Sequence, residues 1–182
     1  MDLVIIEGPG KRDTLKKYLG NGYDVVATKG HIVDLPVKSL AIDVNNNFEP
    51  KYEVMPDKDA IIKELKTKYA KCDNLYIATD PDREGEAIAW HVERVLGIGE
   101  NEPCRIEFNE ISKETVNKAI KKPRKINMDL VHAQQGRRVL DRLVGYKVSP
   151  IICKKIKSNL SGGRVQSVAL KLVVDREKEI KL

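Results

Sequence analysis

The sequence predicts an α/β protein in which a largely parallel sheet flanked by helices is followed by a helical segment of a second domain. Two observations carry this. Over residues 1–122, short β-branched runs alternate with helical patterns, the order that builds a parallel sheet. From 123 onward no convincing strand signal follows, and the pattern is helical from Met128. The charge changes at nearly the same place. Residues 1–120 hold 17 Lys/Arg against 22 Asp/Glu, and residues 121–182 hold 16 against 5. Two domains are therefore expected, 1–122 and 123–182.

The elements follow in order. "DLVIIEG" is a buried parallel strand, and "GPGKRDTLKKYLG" continues it as a turn and a short helix ending at Gly20. "YDVVAT" is the next strand. "KDAIIKELKTKYAKC" is an amphipathic helix with Ile61, Ile62 and Leu65 on one side, and "NLYIATD" is a strand. The helix "EGEAIAWHVERVLG" opens with Asp80 as N-cap and Pro81 at its first position. "CRIEF" reads as a strand, and "SKETVNKAIKK" as a helix capped by Ser112 with Thr115 at its third position. "KKPRK" at 121–125 reads as a solvated linker. Then come a helix from Met128, a short helix opened by Ser149 and Pro150, and a long one from Arg164. That last pattern persists through "VVDREKEIKL" without a Gly or Pro stop, so the chain is expected to be a fragment of a longer protein.

Composition narrows the class. With 41% apolar and 33% charged residues, the chain has material for one good core or two small ones. No apolar run approaches the roughly 20 residues of a membrane span, and "MDLVIIEGPGK" lacks a secretory signal's basic start. No membrane partner and a cytoplasmic location are expected. Cys72, Cys104 and Cys153 are odd in number and widely spaced, which argues against a disulfide framework or a structural zinc site.

The acids of "ATDPDREGEAIAW" concentrate the chemistry. Asp80, Asp82, Glu84 and Glu86 fall within about two helical turns, with Arg83 among them. Capping and the helix dipole account for one or two acids at a helix start. A row of carboxylates repels itself unless a cation is present. Asp80 and Asp82 follow one strand and Glu7 follows another, and that edge of a parallel sheet is where ligands bind. Carboxylate oxygens suit Mg²⁺, which takes one or two acids together with waters and substrate phosphates. Lys11 and Arg83 supply cations for such a phosphate.

The basic half suits a phosphate backbone, and aromatics at 5% are too few for a base-stacking platform. Arg138 and Arg142 lie one turn apart, away from the apolar stripe of Val139, Leu140, Leu143 and Val144. Arg137 and Asp141 share that spacing, which leaves Arg137 between an ion pair and a nucleic-acid contact. "LSGGRVQS" is a Ser cap and a Gly turn opening a helix. Such a turn either exposes N–H groups to an anion or is simply a turn.

With these motifs in place, the chain resembles the N-terminal part of the bacterial type IA DNA topoisomerases. "VIIEGPGK" and "ATDPDREGEAIAWH" are similar to the Glu and D-x-D-x-E motifs of a Toprim domain. "KGHIVDLP", "FNEISKETV", "AQQGRRVLDRLVGYKVSP" and "LSGGRVQSVALKLVVDREKEI" extend the likeness over residues 1–182. The chain departs from the family's usual wording at Gly8-Pro9-Gly10 and Ser161-Gly162-Gly163, where Gly is expected to let the backbone approach phosphate. The family's nucleophilic Tyr stands in a Tyr-x-Arg-Thr context, which none of Tyr18, Tyr23, Tyr52, Tyr69, Tyr76 or Tyr146 has.

The resemblance implies a Rossmann-like Toprim fold and Mg²⁺-dependent, ATP-independent cleavage, passage and rejoining of one strand of negatively supercoiled DNA through a 5′-phosphotyrosine. It implies Glu7, Lys11 and Arg83 as catalytic residues, with Glu7 a proton donor or a metal ligand, and Glu7, Asp80, Asp82 and Glu84 as the metal set. It carries DNA contact onto His31, Arg137, Arg138, Arg142, Tyr146, Lys147, Lys154, Ser161, Gly162, Gly163, Arg164, Val165 and Gln166. Single-stranded DNA and the remainder of a topoisomerase chain are the implied partners, in a monomer associated with the nucleoid. Two rivals remain: a Toprim nuclease whose metals activate water, and a non-catalytic nucleic-acid module.

Overall fold

The computed structural model describes residues 1–99 and 101–181. Its elements run β1 (Asp2–Ile6), α1 (Arg12–Leu19), β2 (Tyr23–Ala27), β3 (Val33–Asp34), β4 (Ile42–Asp43), β5 (Glu49–Pro50), β6 (Glu53–Val54), α2 (Asp59–Tyr69), β7 (Leu75–Ala78), α3 (Arg83–Leu96), α4 (Lys113–Ile120), α5 (Met128–Lys155) and α6 (Arg164–Lys181). The chain divides into two units. The first is Met1–Pro36 with Tyr52–Gln135, and the second is Val37–Lys51 with Gly136–Leu182. Residue 122, the expected domain limit, falls inside the first unit.

In the first unit β1 is the centre of a parallel sheet of order β2-β1-β7, with Val4 facing Val25 on one side and Tyr76 on the other. The period of two along β1 divides the core. Leu3 and Ile5 pack with Ile62 and Leu65 of α2 and Ile88 and Val92 of α3. Val4 and Ile6 pack with Leu15 of α1 and Val116 of α4. Helices thus cover both faces, which is why the strands read as continuous apolar runs. Ile62, Leu65, Ile77 and Ile88 are all at least 90% shielded. The α/β expectation holds: a parallel sheet with helices on both faces, followed in the chain by a helical segment.

Four local expectations are corrected. "CRIEF" forms no strand: Arg105 makes one isolated parallel bridge with Ile77 and one antiparallel bridge with Arg124. "KKPRK" is not a free linker, because Arg124 Nη1 and Nη2 donate to both oxygens of Glu86 at 2.7 and 2.8 Å. Helix α5 runs unbroken from Met128 to Lys155 with Pro150 inside it. No separate helix starts at Ser149. The cap of α3 is Asp82, whose extended backbone (φ −135, ψ 177) lets its Oδ1 accept from Gly85 N at 2.7 Å. Asp80 and Pro81 stay outside the helix. Ser112 caps α4 as expected, accepting from Thr115 N.

In the second unit β4 and β5 form an antiparallel hairpin, and α6 follows α5 through a turn.

Candidate functional site

Glu7 follows β1, His31 follows the turn after β2, and Asp80 and Asp82 follow β7. Parallel strands therefore deliver all four residues to one sheet edge. The Glu7 carboxyl is pushed above its ordinary value first by burial and then by the charges of Asp80 and Asp82, against the opposing influence of His31. This like-charge crowding is the direct electrostatic mark of the cluster. Lys11 relieves part of it, its Nζ lying 2.6 Å from Asp80 Oδ1. Glu84 Oε2 lies 3.4 Å from His31 Nε2 and accepts from Gln134 Nε2 at 3.1 Å. Arg83 is exposed at the first position of α3.

A second set of residues, which sequence reading missed, holds this edge from beneath. Arg105 is fully buried, and its Nη1 donates to the carbonyls of Ile77 (3.1 Å), Thr79 (2.9 Å) and Ile106 (2.7 Å). Its Nη2 donates to the Asp80 carbonyl at 2.9 Å. Thr79 Oγ1 donates to Gly85 O at 2.6 Å. A Cβ on Gly85 would stand 2.0 Å from Asp80 O, so only glycine lets α3 start this close to the turn. An isolated "R" between apolar residues carries no such signal, because three of its four carbonyl partners, at Ile77, Thr79 and Asp80, are far from it in the chain.

Glu7, Asp80, Asp82 and Glu84 are the residues able to hold a hard cation. Among the described residues no group of three or more His, Cys, Asp and Glu side chains is gathered closely enough to hold a metal by itself. The donor chemistry still fits Mg²⁺, because that ion takes only one or two carboxylates and leaves its other positions to water and phosphate. Mutual repulsion at Glu7, partly met by the Lys11 ammonium, is what a cation placed there would relieve.

In the second unit a cavity of about 690 Å³ is lined by Arg138, Arg142, Tyr146, Ser161, Gly162, Gly163, Arg164, Val165 and Gln166, together with Asp141 and Ser149. Nine of the expected nucleic-acid residues are thus brought together. Arg137, Lys147 and Lys154 are not among its lining residues. Arg137 Nε lies 3.7 Å from Asp141 Oδ2, and Arg164 Nε donates to Asp141 Oδ1 at 2.9 Å, so one acid serves both arginines. Gly162 is held close against α5. Its N–H donates to Ser149 Oγ at 3.0 Å, and a Cβ there would meet Ile152 Cδ1 at 2.6 Å and Val148 Cγ1 at 2.7 Å. The glycine is thus required for packing against α5, a need the sequence did not reveal.

The segment at 37–39 also belongs to this unit, which sequence reading missed. Tyr146 OH donates to Val37 O at 2.8 Å. Arg142 Nη1 reaches Tyr146 OH at 3.3 Å and Ser39 O at 3.4 Å, with its guanidinium 5.3 Å from the Tyr146 ring centroid. The contacts to Ser39 and Val37 span 103 and 109 residues of chain.

Comparison with known proteins agrees with this geometry. The family model for the Toprim domain matches residues 2–111, and that for DNA topoisomerase matches residues 125–182. The solved structure of full-length topoisomerase I from Thermotoga maritima, in a monoclinic crystal form, is 48% identical with a TM-score of 0.91. The match covers 98% of this chain and 30% of that one, so the chain spans less than a third of that protein's length. A Toprim unit bearing crowded carboxylates, a helical segment matching the topoisomerase family and 48% identity together show that this chain belongs to the bacterial type IA DNA topoisomerases, as an N-terminal portion.

Proposed function

We propose that this chain supplies the metal site and part of the strand groove of an enzyme that relaxes negatively supercoiled DNA. That enzyme cuts one strand, passes another through the gap and rejoins the ends through a 5′-phosphotyrosine, without ATP. The observation that carries the reading is the crowding of Glu7 by Asp80 and Asp82 at the carboxyl edge of the sheet, with Lys11 against Asp80. Its raised affinity for a proton suits Glu7 to hold one on its carboxyl and deliver it to a leaving 3′ oxygen. Lys11 and Arg83 offer positive charge to a phosphate, worth most where water is partly excluded. Asp80, Asp82 and Glu84 would hold Mg²⁺, joined by Glu7 only where its carboxyl is ionised and serves as a ligand instead of the proton donor. When bound, that ion would stabilise negative charge on phosphoryl and leaving-group oxygens.

The strand itself would lie along Arg138, Arg142, Tyr146, Arg164 and Gln166, with Lys147, Lys154 and Arg137 adding charge and His31 making a contact near the acids. The attacking Tyr lies outside these 182 residues. The chain by itself therefore binds a DNA strand and metal, and relaxes nothing. The complete protein acts as a cytoplasmic, nucleoid-associated monomer.

The test incubates the chain with an end-labelled single-stranded oligonucleotide at low salt, with Mg²⁺ or with chelator, on native and denaturing gels. A retarded band over intact DNA supports the reading. Metal-dependent shortening abolished by Asp80→Asn would mean a hydrolytic nuclease, and relaxation of a supercoiled plasmid by the chain alone would refute the division of labour.

A further inference from the structure

A buried cation behind the acidic edge takes no part in the function above. Lys58, just before α2, is 7% exposed. Its Nζ lies 2.8 Å from Lys29 O and 3.5 Å from Thr28 O, while Asp57, with a side chain 70% exposed, is 3.9 Å away. An ammonium removed from water needs its donors satisfied. Here the nearest acceptors are two carbonyls of one turn.

That turn is unusual in its backbone. Lys29 has φ 57 and Gly30 has φ 86, so two consecutive residues are left-handed. For the lysine this costs on the order of 1 kcal/mol. On its other side the turn is tied to β1: Thr28 N donates to Ile6 O at 2.9 Å, and Lys29 N donates to Glu7 O at 2.8 Å. Thr28 Oγ1, fully shielded, has no hydrogen-bond partner among the described residues, so this side chain does not brace the turn from within. His31 is the next residue along, and its Nε2 faces Glu84 Oε2.

We propose that Lys58 is a positioning residue that holds the Thr28–Gly30 turn in its left-handed form from behind. In doing so it sets His31 against Glu84 beside the acidic turn. The catalytic consequence rests on the proposed role of His31 as a strand contact. The geometric consequence does not.

The experiment uses the full-length protein that carries this chain. The ¹H–¹⁵N signals of the His31 imidazole, assigned by their loss in His31→Gln, are recorded for the parent, Lys58→Met, Lys58→Arg and Gly30→Ala. Oligonucleotide affinity and cleavage rate are measured for the same proteins with and without His31→Gln. Lys58→Met is expected to move the His31 signals and to slow cleavage roughly 10- to 100-fold, the scale of a small misplacement, with oligonucleotide affinity within about twofold. In the His31→Gln background it should add less than about twofold. Lys58→Arg should restore most of the signal position. Gly30→Ala strains the same turn without removing a buried charge, and so provides the same test if Lys58→Met does not fold. Unmoved His31 signals in the folded variants, or equal losses with and without His31, would overturn the proposal. If His31→Gln leaves cleavage unchanged while Lys58→Met still moves the His31 signals, the strand-contact role falls and the positioning relation stands.

Discussion

Arg105 Nε donates to Glu86 Oε2 over 3.0 Å, and both side chains are completely shielded from solvent. Glu86 also accepts from Arg124 and, at 2.5 Å, from Asn127 N. Burial alone would raise the Glu86 carboxyl, but the hydrogen bonds of Arg124, Asn127 and Arg105 outweigh it and hold the group below the ordinary carboxylate range. The Arg124 hydrogen bonds with Glu86 and Glu107 in turn hold its guanidinium above its ordinary value.

Arg105→Met should therefore destabilise the fold by about 3–5 kcal/mol, because it leaves a buried carboxylate short of a partner. Pairing it with Glu86→Leu should not restore stability, since the carbonyls of Thr79, Asp80 and Ile106 would lose the Arg105 guanidinium and the N–H of Asn127 its carboxylate. Urea denaturation of the parent and both variants checks this. Recovery in the double variant to within about 1 kcal/mol of the parent would show that the ion pair alone, rather than the backbone hydrogen bonds, carries the effect.

Asp82→Asn separates the helix cap from the chemistry. Asn caps nearly as well as Asp, so the melting temperature should stay within about 2 °C. Metal-dependent cleavage by the full-length protein should fall by roughly 100-fold or more, since a carboxylate oxygen is lost from the candidate metal set. Parallel thermal melts and cleavage time courses decide it. A stable variant of full activity would remove Asp82 from that set.

His91 sits on α3, 4% exposed, with the Tyr52 and Trp90 ring centroids each 4.8 Å from its own. Burial, followed by the charges of His31 and Arg94, lowers it from 6.5 to about 4. The folded state thus binds its proton less readily than the unfolded chain. The associated stability is fully present above about pH 6.5 and is lost as pH falls toward 4, by roughly 2–4 kcal/mol. Denaturant midpoints taken between pH 7 and pH 4 should fall less steeply for His91→Phe. Parallel slopes would exclude His91 as the source.

Tyr146→Phe removes the donor to Val37 O and the acceptor for Arg142 while keeping the ring. Single-strand affinity should fall about fivefold, near the 1 kcal/mol of one hydrogen bond. Arg142→Gln should in addition reduce the slope of log affinity against log salt by about one phosphate's worth. Fluorescence anisotropy with a labelled oligonucleotide over a salt series measures both. An unchanged slope in Arg142→Gln would mean that this guanidinium serves the 37–39 segment and not a phosphate.

Much of this was legible in the sequence because it depends on neighbours in the chain. The β-branched runs at 2–6 and 75–78, the apolar period of α2 and the Ser112 cap are local patterns, and the strands they predict carry Glu7, Asp80 and Asp82 to one edge by topology. The tertiary structure alone decided the rest. Whether Asp80 or Asp82 caps α3 depends on Lys11 and Arg105, which occupy the side chain and carbonyl of Asp80 from 69 and 25 residues away. The helix through Pro150, the packing of Gly162 on Val148 and Ile152, and the bonding of Tyr146 to Val37 also have their partners outside the local window. Periodicity and capping rules act over a turn or two of helix. Burial of a guanidinium or close approach of two backbones is settled only when distant segments meet.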